Sequence, residues 1–179
     1  NLGARLDPNQ VLKLGVAADL RGSPFAAEGY FRQAMQLFRE INNKRGEGLA
    51  INNLALVYET RGDLEQAKKY FHESLEISSS LSEKKDEAMI LNNLGLIARD
   101  EGELETAQEF VQKSLKIRKE IADKRGEGMC YVALGRIAET WSNWEMAEKF
   151  FIGALEIFID VGDSHGKGIA LGNIGNAAK

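Results

Sequence analysis

Apolar residues recur along this chain at steps of three and four. Between positions 64 and 80, Leu64, Ala67, Tyr70, Phe71, Leu75 and Ile77 fall on one side of a helical wheel, the spacing a one-sided helix requires. Shifted by 40 residues, the chain matches itself. Asn52-Asn53-Leu54-Ala55 lies on Asn92-Asn93-Leu94-Gly95, and Arg61-Gly62-Asp63-Leu64 on Glu101-Gly102-Glu103-Leu104. Two shifts bring Lys44-Arg45-Gly46-Glu47-Gly48 onto Lys124-Arg125-Gly126-Glu127-Gly128. Ala27, Ala67, Ala107 and Ala147 form one column; Gly15, Ala55, Gly95, Gly135 and Gly175 form a column of small residues.

The pattern predicts paired helices throughout. First helices run near 8–21, 45–61, 85–101, 125–141 and 165–179, and second helices near 24–41, 64–80, 104–121 and 144–160. Asp7-Pro8 reads as an N-cap followed by proline in the first turn. Gly62 and Gly102 separate the helices of their units, where a positive φ suits glycine. No strand signal competes. The expected architecture is one all-α domain over 1–179, with units at about 8–44, 45–84, 85–124 and 125–164 and a half unit at 165–179.

At these columns the chain resembles the tetratricopeptide repeat family. The second unit shows Ile51, Leu54-Ala55, Tyr58, Gly62, Ala67, Phe71 and Ser74; the third shows Leu91, Leu94-Gly95, Ala98, Gly102, Ala107, Val111 and Ser114. Two features depart from the usual pattern. The period is 40 where the family repeat has 34, and the proline near each unit's end is missing. Long units of this kind look like those of kinesin light chains, of Leu-Gly-Asn repeat adaptors of spindle orientation, and of many bacterial and archaeal signalling proteins.

The resemblance implies a right-handed superhelical solenoid of four and a half units, with first helices lining a concave groove that holds a ligand peptide. It also implies the contact positions, counted from the small residue of each first helix. Two and three before it stand Lys13, Asn52, Asn53, Asn92, Asn93 and Asn173; one after it, Leu56, Leu96, Arg136 and Asn176; four after it, Arg99 and Lys179. An asparagine amide both donates and accepts, so it suits the backbone of an extended peptide whatever its side chains. The same asparagines equally suit bonds to neighbouring helices that order the stack. Arg99 and Arg136 suit a carboxylate or phosphate, yet Glu59 and Glu139 share the column of Arg99 and are competing partners. Trp141 stands where siblings carry Arg61 and Glu101, and Ile159 where they carry Ser79 and Lys119. These two exchanges mark either an exposed apolar patch for a partner or packing under neighbouring structure.

Charge and composition narrow the function classes. Twenty-three basic residues against 27 acidic ones leave a net charge of -4, which argues against nucleic acid and anionic membrane partners. No apolar run approaches the roughly 20 residues of a membrane helix. One cysteine, Cys130, and two histidines, His72 and His165, leave little material for a disulfide or a metal site. The stretch from Gly162 to Gly168 superficially suggests a phosphate loop. Its glycine spacing is one short, it ends in glycine, and no strand precedes it.

We therefore expect a cytoplasmic, non-enzymatic scaffold or adaptor that needs no cofactor and no metal and binds a peptide or helical segment of a partner protein. A second reading is a regulatory or sensory segment of a larger signalling protein. A third is self-association through the face of the last helix. Asn1-Leu2-Gly3 has neither an initiator Met nor a signal-peptide pattern, so we read the chain as part of something longer.

Overall fold

In the computed structural model, residues 6–177 are described. Among them are nine α-helices and no strand: α1 (Pro8–Leu20), α2 (Pro24–Glu40), α3 (Lys44–Thr60), α4 (Leu64–Ser80), α5 (Lys84–Asp100), α6 (Leu104–Glu120), α7 (Lys124–Thr140), α8 (Trp144–Asp160) and α9 (Ser164–Ala177). Each of the expected helices is present, with ends shifted by a residue or so. Lys179, assigned above to the contact column, lies outside the described residues.

The 40-residue period has a simple mechanical origin. Helices α2 to α8 are each 17 residues long, and three residues join each helix to the next. Every turn closes the same way. After α3, the Asp63 N–H donates to the Tyr58 carbonyl at 3.0 Å and the Gly62 N–H to the Glu59 carbonyl at 2.9 Å, which satisfies carbonyls left open by the helix end. The middle residue of each turn sits at positive φ: Gly22, Gly62, Gly102 and Gly162, but also Asn42, Ser82, Ala122 and Ser142. The residue after it caps the next helix. Asn43, Asp63, Asp123 and Asn143 each accept a backbone N–H through the side chain, replacing a partner the helix start lacks.

The chain divides into two compact units between Glu83 and Lys84. In the first, α1 to α4 pack in sequence and α1 also touches α3. Its core gathers Val11, Ala27, Phe31, Ala34, Phe38, Ala50, Leu54 and Val57. In the second, α5 to α9 pack in sequence, and the first helices meet as α5 on α7 and α7 on α9. Ala107, Val111, Cys130 and Ile137 form one cluster, and Ala147, Phe151, Ala154, Phe158 and Ala170 another.

The small-residue column works by close approach. A methyl added at Gly135 would lie 2.3 Å from Cε1 of the buried Phe151 ring, and at Gly15 2.4 Å from Phe31. A second column does the same between successive repeats within each compact unit. Phe38 covers Gly46, Phe158 covers Gly166, and Arg118 occupies the matching place over Gly126. Arg118 is buried there, donating to Asp123 Oδ2 at 2.6 Å and to Ser114 Oγ at 3.3 Å.

Candidate functional site

The expected contact residues fall on both units. In the first unit they are Lys13 on α1 and Asn52, Asn53 and Leu56 on α3. Lys13 is exposed, and Asn53 and Leu56 are half-buried. In the second unit, Asn92, Asn93, Leu96 and Arg99 lie on α5, Arg136 on α7, and Asn173 and Asn176 on α9. The contacts of α5 with α7 and of α7 with α9 place these three helices side by side.

Successive residues on a helix point about 100° apart, so the columns two and three before the small residue cannot both face outward equally. Asn52 and Val132, in the inner column, are buried, at 5% and 4% exposure. The outward face instead follows steps of four and three: Leu49, Asn53 and Leu56 on α3, Met89, Asn93 and Leu96 on α5, Ile169, Asn173 and Asn176 on α9. Leu49, Met89, Met129 and Ile169 were missed by counting from the small residue alone. Their signal was helical spacing, since each lies four residues before the outer asparagine column.

Asn53 Nδ2 donates to the Leu49 carbonyl of its own helix at 2.7 Å. Asn52 Oδ1, Asn92 Oδ1 and Asn173 Nδ2 are buried without a hydrogen-bond partner. A buried amide atom left unpaired costs about 1–3 kcal/mol.

Charge on the second unit's surface is partly committed within the chain. Arg99 donates to Asp100 through Nε at 2.9 Å. Burial pushes the Glu139 carboxyl above its usual range, and the positive charges of Arg136 and Arg99 only partly offset that.

The first unit carries two ionic clusters of its own. Tyr58 Oη donates to Glu28 Oε1 at 2.6 Å, while Arg32 donates to Tyr58 Oη at 2.7 Å and Arg61 to Glu28 Oε2 at 2.6 Å. Arg61 lies over the Phe25 ring at 4.5 Å, and Tyr58 stacks on Tyr70 at 5.5 Å. The Tyr58 hydrogen bond, with those from Arg32 and Arg61, holds the Glu28 carboxyl below its usual value. In the other cluster, the buried Glu47 accepts from Arg39 at 2.6 Å and Lys44 at 2.8 Å. Burial there pushes the carboxyl up, but these donors outweigh it and the net shift is downward.

Trp141 and Ile159 do not share a patch. Trp141 caps the end of α7 and Ile159 sits in the last turn of α8, so nearly the whole helix, about 22 Å at 1.5 Å per residue, separates them. Each is exposed, Trp141 at 42% and Ile159 at 57%. The glycine-rich stretch after α8 forms the turn at Gly162 and the first residues of α9, with Asp163 Oδ1 accepting the Gly166 N–H at 3.0 Å. Cys130 is buried, its Sγ 3.3 Å from Ser114 Oγ. Among the described residues no three His, Cys, Asp or Glu side chains gather as metal ligands, and no helix is long and apolar enough to cross a membrane.

A family model described as tetratricopeptide repeat matches residues 9–84 and 86–157. No curated protein matches the chain. Several solved structures share its fold. BtubC (BKLC) from P. vanneervenii is 21% identical, with a TM-score of 0.76 over 90% of this chain and 68% of that one. A Rap protein complexed with competence and sporulation factor is 14% identical, with a TM-score of 0.86 over 99% of this chain and 50% of that one. The signal transduction ATPase with a tetratricopeptide repeat sensor from Pyrococcus horikoshii is 18% identical, with a TM-score of 0.83 over 97% of this chain and 28% of that one. The chain thus spans about half of the Rap protein and just over a quarter of the ATPase.

Proposed function

Because this chain belongs to the tetratricopeptide repeat family, we propose that it is a non-enzymatic interaction scaffold whose first-helix face holds an extended segment of a partner protein. The observation that carries this reading is the pair of unpaired amide atoms on the half-buried Asn92 and Asn173. Amides that ordered the helix stack would be bonded to neighbouring helices. An unpaired amide that turns outward about its side-chain bonds instead meets the N–H or C=O of an extended backbone, and complex formation removes the cost of leaving it unpaired.

In the second unit, Asn92 and Asn173 bracket the apolar surface of Met89, Leu96 and Ile169, with Arg136 exposed beside it. Such a surface favours a segment of mixed polarity: backbone held by amides, apolar side chains on the methionines and Leu96, an acidic group near Arg136. The Rap structure with its competence and sporulation factor shows one protein of this fold in complex with a factor.

The test is affinity capture from source-cell lysate on the chain and on its Asn92→Ala/Asn173→Ala variant, with thermal melts of both. A protein held by the first and lost by the second, with the melting temperature kept or raised, supports the reading. A melting temperature that falls while capture is unchanged assigns the asparagines to the scaffold and overturns it.

A further inference from the structure

The two units differ at one place where the repeat pattern makes them comparable side chain by side chain. Shifting by 80 residues carries the Tyr58 cluster of the first unit onto the junction of α6, α7 and α8. Glu28 and Arg32 become Gln108 and Gln112, Tyr58 becomes Ala138, Arg61 becomes Trp141, Gln66 becomes Met146, and Tyr70 becomes Phe150. Every charge of the network is gone, and so is the ring at its centre.

What remains is a crevice. It has a volume of about 260 Å³ and is lined by Leu134, Ile137, Ala138, Trp141, Met146 and Phe150, with Gln108 and Asn143 at its polar edge. Trp141 and Met146 stay 42% and 43% exposed at its mouth. The volume is below the roughly 300–1,000 Å³ of small-molecule sites and fits one side chain. On α7 the crevice residues point about 100–160° around the helix axis from Arg136, so this face is separate from the asparagine surface.

We propose that this crevice is a docking site for a partner protein's aromatic side chain, above all tyrosine, flanked by lysine or arginine. Two observations fix the occupant. The first unit fills the equivalent space with the Tyr58 ring, buried beside Tyr70 and bonded by Arg32. The first unit's own cations, Arg32 and Arg61, are replaced here by Gln112 and Trp141, and the surround of the crevice is acidic. Exposed carboxylates Glu105 and Glu109 stand on α6, and Glu145 at the start of α8, with Lys149 paired to Glu145 at 2.7 Å. Glu105 occupies the column of Phe25, the ring that Arg61 covers in the first unit. A visiting segment must therefore supply both the ring and the positive charge. The proposal stands whether or not the first-helix face binds a peptide.

The four methionines test it in one spectrum. Met146 lines the crevice, Met89 and Met129 lie on the first-helix face, and Met35 packs in the first unit. With ¹³C-methyl methionine in the whole chain, titration of acetyl-Lys-Tyr-Arg-amide should shift Met146 saturably and leave the other three in place. Acetyl-Lys-Ala-Arg-amide and acetyl-Glu-Tyr-Glu-amide should shift it about tenfold less at equal concentration, and added salt should weaken the response. Ala138→Tyr, which restores the first unit's ring, should abolish the shift. Trp141→Arg, an exchange at an exposed site that also restores a first-unit residue, should weaken it about tenfold with helicity unchanged. A still Met146 methyl, an equal response to the acidic peptide, shifts only at Met89 and Met129, or full response in both variants would each overturn the proposal.

Discussion

Replacing Gly135 by alanine isolates the close helix approach on which the repeat depends. The new methyl would stand 2.3, 2.6 and 2.8 Å from three atoms of the Phe151 ring, so the ring or helix must give by about 1 Å to reach ordinary contact distance. The ring has nowhere to go, because Ala147, Ala154, Phe158 and Ala170 around it are fully buried. Overpacking of this kind costs about 1–3 kcal/mol, while leaving glycine behind in a helix interior returns about 1 kcal/mol. Gly168→Ala supplies the control: Gly168 lies in α9 of the same unit, is exposed, and has nothing within 4 Å of an added methyl. It should gain about 1 kcal/mol. The two variants should then differ by about 2 kcal/mol, or about 4–8 °C in melting temperature for a chain of this size. Parallel thermal and urea melts read both quantities. Gly135→Ala melting with or above Gly168→Ala would refute the close-approach account.

Ala122 holds a positive φ of 56° in its turn, a conformation that costs a non-glycine residue about 1–2 kcal/mol, so Ala122→Gly should gain about 0.5–1 kcal/mol in a urea melt after the added chain entropy. The carboxyl of Glu47 sits below its usual pKa; its contribution is present above the unfolded value and is lost as pH falls through the folded one. The stability gap between the chain and Glu47→Gln should therefore be full at pH 7 and shrink below about pH 4, and a gap that stays constant would contradict the assignment. Burial pushes the Cys130 thiol pKa upward and shields it, so a disulfide reagent such as dithionitrobenzoate should react about a hundredfold faster once urea unfolds the chain.

The repeat was legible because nothing interrupts it. Seventeen-residue helices and three-residue turns return each column at a fixed interval, and side-chain caps such as Asp63 and Asp123 mark helix starts in the sequence itself. The division at Lys84 was not legible, since Asn92-Asn93-Leu94-Gly95 repeats the columns of Asn52-Asn53-Leu54-Ala55 across it. The candidate face was legible in part. The columns identified its helices, but the inward turn of Asn52 and the outward place of Met89 and Met129 depend on rotation about each helix axis, which a column count leaves out. The Glu28–Tyr58–Arg61 network was missed for another reason. Its members come from α2, α3 and the turn between α3 and α4, 30 and 33 residues from Glu28, and no column contains more than one of them. The pairing of Trp141 with Ile159 erred in the opposite way, because two unusual residues in one repeat stand at opposite ends of its second helix.

The central claim is that the first-helix face, with its unpaired amides, is where a partner segment lies. The most direct measurement is the ¹³C-methyl methionine spectrum of the whole chain with and without the segment recovered by capture. The account predicts that Met89 and Met129 move together on binding and that Asn92→Ala/Asn173→Ala removes the movement without lowering the melting temperature. Binding that leaves both methyls in place, or that survives the double substitution undiminished, would contradict it.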